Sequence, residues 1–186
     1  MPDQPYGQNY LILNANSTSG LPVQFSIVSG YAHINNGNRL TPIGAGTVVV
    51  RASQPGNGNY QSAAVDRSFC IAAPQPSPIQ GFKEACAGTT GYYIAPVQGV
   101  TYAWSLSGGG NLLATTGVSV SVNWTTLGTH TITVKAITNC GVDTTPVRTE
   151  QITVTSTLIP AAPTNLFPAS GTVINAFPFP APGSRR

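Results

Sequence analysis

Apolar and polar residues alternate one for one along several short stretches of this chain, and no stretch keeps a helical spacing beyond a turn or two. Val100, Tyr102, Trp104 and Leu106 fall on one face of an extended segment, with Thr101, Ala103, Ser105 and Ser107 opposite. Val118, Val120, Val122 and Trp124 repeat the pattern, Ile132, Val134 and Ala136 do so again, and Ile152 with Val154 supplies a last strand. Nearer the N-terminus, Val23, Phe25 and Ile27 alternate with Gln24 and Ser26, so one face packs while the other meets water. Further strands are expected over residues 10–15, 32–34, 47–52 and 68–72. Turn signals such as Ser29-Gly30, Asn36-Gly37-Asn38 and Pro55-Gly56-Asn57-Gly58-Asn59 separate these runs, roughly every 8–12 residues. Asn-Gly pairs favour the positive φ angles of tight hairpins. Short strands at this spacing predict an all-β fold built of sandwiches.

Proline breaks the pattern twice. Pro74-Gln75-Pro76-Ser77-Pro78 places prolines at alternate positions, which stiffens a linker into an extended form. Pro160-Ala161-Ala162-Pro163 marks a second boundary. The expected organisation is a first module over 1–73, a linker over 74–78, a second module over 79–158, and the start of a third module with a disordered tail over 159–186. In that tail Phe177-Pro178-Phe179-Pro180-Ala181-Pro182 is unfit for a central strand. A β module of this size buries only about 60% of its unfolded surface, so neighbour contacts or a disulfide would add needed stability.

Composition narrows the function classes. Asp, Glu, Lys and Arg make up 7% of the 186 residues, where about a quarter is usual. The net charge is +3, and setting aside the terminal Arg185 and Arg186 leaves +1. No basic stripe exists to meet nucleic acid, and no apolar run approaches the roughly 20 residues of a membrane span. The start, Met1-Pro2-Asp3-Gln4-Pro5-Tyr6, lacks the basic and apolar segments of a signal peptide. Low charge, abundant Thr and Asn, and three cysteines nevertheless read as extracellular. The chain is therefore expected to be a piece of a longer exported protein, at the cell surface or outside the cell.

Several motifs carry a resemblance. Ser19-Gly20-Leu21-Pro22-Val23, Ser29-Gly30, Gly44-Ala45-Gly46-Thr47-Val48-Val49-Val50-Arg51-Ala52-Ser53-Gln54 and Gly58-Asn59-Tyr60 occur in an order that resembles a bacterial immunoglobulin-like repeat of long secreted proteins. The family's opening strand is absent before Pro2, and Cys70 stands in the closing strand where Thr is expected. Residues Ile79-Gln80-Gly81, Cys86-Ala87-Gly88, Gly99-Val100-Thr101-Tyr102-Ala103-Trp104, Asn123-Trp124, Gly128-Thr129-His130-Thr131-Ile132 and Asn139-Cys140-Gly141 resemble a PKD-like domain. The segment from Pro160 is similar to the start of a fibronectin type III-like module. These resemblances imply two tandem immunoglobulin-like β-sandwich domains of a cell-surface or secreted protein, and they supply no catalytic residues.

Cys86 and Cys140 bracket Trp104, an order similar to the Cys…Trp…Cys arrangement of immunoglobulin domains. That resemblance implies a bridge between Cys86 and Cys140, worth about 4 kcal/mol in the chain-entropy model. Cys86 precedes a strand and Cys140 follows one, so the alternative is that they lie at opposite ends of the module. Cys70 would then be a small buried strand residue. No two Cys or His residues have zinc-ligand spacing, and Asp66 alone is too little for calcium; no metal or cofactor is expected.

His33 and His130 fall in different modules with no nucleophile and acid in a triad-like motif. Glu84 with Asp143 or Glu150 is the one conceivable carboxylate pair in the second module, and solvated surface charge is the simpler account. Gly108-Gly109-Gly110 lacks the Lys and the strand–helix context of a phosphate loop and reads as a turn. Aromatic rings are the remaining lead. Tyr92 and Tyr93 are adjacent, so in a strand one faces outward, and Tyr31 lies near a turn. All three are candidate ligand-binding residues.

The expectation is a non-catalytic spacer and adhesion segment, partnered by neighbouring domains of the same parent chain or by other surface proteins. The alternative is a carbohydrate-binding accessory module of a secreted polysaccharide-degrading enzyme, with polysaccharide as partner. An exposed sheet edge is expected in the first module where its opening strand is missing.

Overall fold

The computed structural model describes residues 3–140 and 146–156. The fibronectin-like start, the tail and Asp143 lie outside the described residues. Thirteen strands, and no helix among the described residues, form four sheets around two separate cores.

The first sandwich faces a sheet of β1 (Leu11–Ile12), β4 (Arg39–Pro42) and β3 (Ala32–Asn35) against one of β2 (Gln24–Ser29), β5 (Gly46–Gln54) and β6 (Ala63–Ile71). β5 is its central strand: Val48 and Val50 point into the core with Leu13, Leu40, Phe69 and Ile71, while Arg51 on the other face is exposed. Alternation of β-branched residues on a half-buried surface is what favours this segment as strand. β2 pairs with β5 through a register shift between Ile27 and Ser29. Gln54, buried at the end of β5, donates to the Gln61 carbonyl and accepts from the Gly56 N–H, so its amide closes the turn that leads into β6.

Three details differ from the sequence reading. The 10–15 strand contracts to Leu11–Ile12, because only these two residues pair with β4. β4 itself, with one fully buried apolar residue, Leu40, gave no alternation to read. β6 begins at Ala63, well before residue 68, and its first six residues are exposed while the β5 backbone still pairs with them. On the outer side of β6, Gln4 pairs in parallel with Ile71, and its N–H bonds the Cys70 carbonyl. No other strand among the described residues covers that edge.

The second sandwich packs β10 (Gly110–Leu112), β11 (Ser119–Trp124) and β8 (Gly88–Tyr93) against β7 (Glu84–Cys86), β13 (Val147–Thr155), β12 (Gly128–Ile137) and β9 (Thr101–Leu106). Its core holds Tyr92, Tyr102, Trp104, Val120, Val122, Trp124, Ile132, Val134, Ala136, Ile152 and Val154, which agrees with the alternation read from the sequence. Val118 is the exception: it precedes β11 and is exposed. The trip from one sandwich to the other is docked rather than free. Pro76 is fully buried, its carbonyl accepts from Arg148 Nε at 2.7 Å, and Ser77 Oγ accepts the Ala95 N–H at 2.8 Å.

Candidate binding faces and the inter-sandwich junction

The structure pairs the cysteines differently from the immunoglobulin-like order. Cys140 is bridged to Cys70, with Cα atoms 5.7 Å apart, and Cys86 is outside the bridge. Strand geometry explains the correction. Cys86 is the register partner of Thr155, beside the end of β13 that pairs with Gly128, whereas Cys140 follows Ile137 at the far end of β12. Ten residues of strand separate those ends, on the order of 30 Å. Cys70 is buried, as expected, but as half of a covalent link between the sandwiches.

Around that link the two sandwiches touch through main chain and small residues. Asn139 Oδ1 accepts the Thr47 N–H at 2.8 Å, the Gln98 carbonyl accepts the Ala45 N–H at 2.9 Å, and Thr47 Oγ1 donates to Cys140 Sγ at 3.7 Å. Glycine permits the approach. Gly99 has a φ of +75°, and a Cβ there would collide with the Ala45 carbonyl oxygen and the Tyr31 ring. A cleft of about 810 Å³ opens beside these contacts, with Tyr31, Thr47, Thr101 and Asn139 on its walls. Tyr31 is thus half-exposed and braced at the junction.

The adjacent tyrosines separate as strand alternation requires. Tyr92 is buried and accepts a hydrogen bond from Trp124 Nε1 at 3.3 Å, with the two rings edge to face. Burial pushes the Tyr92 hydroxyl up from its usual range, and the Trp124 N–H partly opposes that shift. Tyr92 is a core residue and is withdrawn as a ligand contact. Tyr93 is 56% exposed and faces solvent. Its backbone N–H and carbonyl both bond Gln80, and Ser119 of β11 is its register partner on the other side.

The remaining candidates are scattered. His130 stacks on Trp124, and Nε2 lies 3.0 Å from the Thr126 carbonyl, which makes that nitrogen the donor. The Gly109 position abuts the same imidazole, so the Gly108-Gly109-Gly110 turn serves packing. Glu150 pairs with Lys83 at 2.8 Å. Glu84 sits opposite Thr153, three residues along β13 from Glu150, a spacing of about 10 Å. Arg51 and Asp66, register partners on β5 and β6, form a two-pronged exposed pair at 2.7 and 2.8 Å. Among the described residues no group of three His, Cys, Asp or Glu side chains is placed to hold a metal ion, and no helix is long and apolar enough to cross a membrane.

No curated protein matches the sequence. Among solved structures, the chain is similar to the human desmocollin-1 ectodomain at 13% identity, covering 87% of this chain and 36% of that one, with a TM-score of 0.32. It is similar to the Bacteroides ovatus mixed-linkage glucan utilization locus protein SGBP-B, solved with a mixed-linkage heptasaccharide, at 12% identity over 82% of this chain and 42% of that one (TM-score 0.32). A SusE-like surface-located polysaccharide-binding protein of Bacteroides thetaiotaomicron is similar at 13% identity over 82% and 32% of the respective chains (TM-score 0.28). The chain thus spans well under half the length of each of these structures. Over residues 72–156, the span that carries all seven strands of the second sandwich, the sequence matches the model of the PKD-like domain.

Proposed function

We propose that this chain is a non-catalytic structural and adhesion segment of a larger exported cell-surface protein. In this reading residues 1–73 are a bacterial immunoglobulin-like module, 79–158 a PKD-like module, and 159–186 the beginning of a fibronectin type III-like one. The observation that carries it is the junction. A disulfide, a docked proline linker and backbone hydrogen bonds hold the two sandwiches in one orientation, as a spacer requires. The disulfide also fits an oxidising compartment, where such bonds persist.

Small-angle scattering tests the rigidity. The oxidised protein gives a single narrow distribution of sizes, and the C70S/C140S variant a broader one. Wide interconversion in the oxidised protein would overturn the spacer reading. Protease shaving of intact cells carrying the parent protein tests its location: peptides from residues 79–158 are released without lysis, and their appearance only after lysis removes the surface assignment.

A further inference from the structure

The sheet β10–β11–β8 turns Tyr92, Val120, Val122 and Trp124 inward, and its other face lies open. The pairing register brings that face into rows. Tyr93 lies opposite Ser119, Gly91 opposite Ser121, and Asn123 opposite Asn111. Leu113, just past β10, donates its N–H to the Ser121 carbonyl and stands 64% exposed across the sheet from Tyr93. Gly91 leaves a gap in the middle: a Cβ there would meet nothing within 4 Å. The result is a trough of about 520 Å³, lined by Tyr93, Leu113, Ser119, Ser121 and the Gly91 backbone.

We propose that this trough binds an uncharged glycan chain, one pyranose ring resting on the Tyr93 ring and its hydroxyls meeting the serine and asparagine side chains of β11 and β10. A sugar ring presents apolar C–H groups on its faces and hydroxyls around its rim. It needs an aromatic platform flanked by small polar groups, which is what these rows offer. Charge selects among ligands. No Asp, Glu, Lys or Arg occurs between Glu84 and Lys135, so an anionic or cationic polymer finds no counter-charge on this face. A protein partner of standard size would need a contiguous apolar centre, whereas Tyr93 and Leu113 are separated by the glycine gap. Two hydrogen bonds to Gln80 fix the Tyr93 backbone within the paired strand β8, so little backbone ordering is left to offset on binding. A spacer requires no ligand, so this inference goes beyond the proposed function, and its failure leaves that reading standing.

Affinity electrophoresis of the intact oxidised protein tests it, with hydroxyethyl cellulose, xyloglucan, galactomannan and soluble starch as neutral probes and heparin and polygalacturonate as charged ones. The expected result is retardation by at least one neutral polymer, unchanged by salt, with affinity falling about tenfold or more in Tyr93→Ala. Tyr31→Ala, at the junction, binds as the parent does. Gly91→Val fills the trough from a position with open space above it, so the fold is kept and binding is lost. Three results would overturn the proposal: no retardation on any neutral gel, retardation indifferent to both Tyr93→Ala and Gly91→Val, or retardation confined to the charged gels and erased by salt. Concentration-dependent dimerisation abolished by Tyr93→Ala would also overturn it, by assigning the face to a second copy of the chain.

Discussion

Thr47 and Cys70 are register partners on β5 and β6, and Asn139 and Cys140, consecutive in the other sandwich, grip one each. A hydrogen bond and a disulfide thus act side by side on one rung of the first sandwich's sheet. That rung is the second from one end of the β5–β6 ladder, and Asn139 and Cys140 reach it from the turn just past β12.

Peptide mapping without reduction is expected to recover residue 70 joined to residue 140, with Cys86 as a thiol. Replacing Cys70 or Cys140 by Ser lowers stability, by up to about 4 kcal/mol in the chain-entropy model for a separation of 70 residues. Cys86→Ser leaves the bridge intact. A map joining residues 86 and 140 would refute the arrangement.

Gly99→Ala should loosen the junction and spare the cores. The new methyl group meets the Ala45 carbonyl and the Tyr31 ring, at a φ of +75° that disfavours alanine. A cost of roughly 1–3 kcal/mol is expected for docking. Amide shifts confined to residues near 31, 44–47 and 97–99, with Trp104 and Trp124 unchanged, are the signature to look for.

Tyr92→Phe keeps the ring and removes the acceptor of the Trp124 N–H, for a loss of about 1 kcal/mol. Trp124→Ala removes the ring that packs between Tyr92 and His130 and costs roughly 3–5 kcal/mol. The Tyr92 hydroxyl is raised from 10.0 by burial, so the unfolded chain ionises first. Its contribution to stability is complete below that ordinary value and is lost as pH rises through the folded one. Alkaline denaturation curves of Tyr92→Phe should therefore be flatter than those of the parent, with Tyr102, also raised by burial, accounting for part of the remaining slope.

Asp66 shifts the other way. The Arg51 hydrogen bonds hold its carboxylate below the ordinary 3.8. Its contribution is present above that ordinary value and is lost as pH falls through the folded one. Asp66→Asn is expected to show a small lowering of the denaturant midpoint at neutral pH. That difference shrinks in strong acid and in high salt, as suits a solvent-exposed pair.

Much of the second sandwich was legible because its inner faces carry apolar residues at every second position, from Tyr102–Trp104 to Ile132–Val134–Ala136. β4 was not, since Leu40 is its one fully buried apolar residue and Pro42 reads as a breaker. The front of β6 was hidden for a related reason: Ala63 through Ser68 are exposed, so their strand state rests on backbone pairing with β5 and leaves no pattern in the side chains. The cysteine pairing failed where the immunoglobulin-like order was followed. The alternative, that Cys86 before a strand and Cys140 after one lie at opposite ends of the module, is what the strand register shows. The partnership of Cys140 with Cys70 left no mark in the sequence. Tyr93 was legible as the outward member of an adjacent pair. The rows of Ser119, Ser121, Asn123 and Asn111 around it were not, because they exist only once the register of three strands is known.

The bridge between Cys70 and Cys140 also decides how the molecule would answer a pull on its two ends. Load entering through residue 3 passes along the first sandwich to Cys70, crosses the sulfurs, and leaves through Cys140 and β13. Everything from residue 71 to residue 139 lies inside the closed loop and cannot be drawn out while the bridge holds. About 240 Å of chain, at roughly 3.5 Å per residue, is removed from the length that can be drawn out. The strand that does carry force, β13, is paired along most of its length with antiparallel β12 and near its end with parallel β7, so a pull along its axis loads those hydrogen bonds together in shear. Under tension the second sandwich behaves as a short link with a stop built into it.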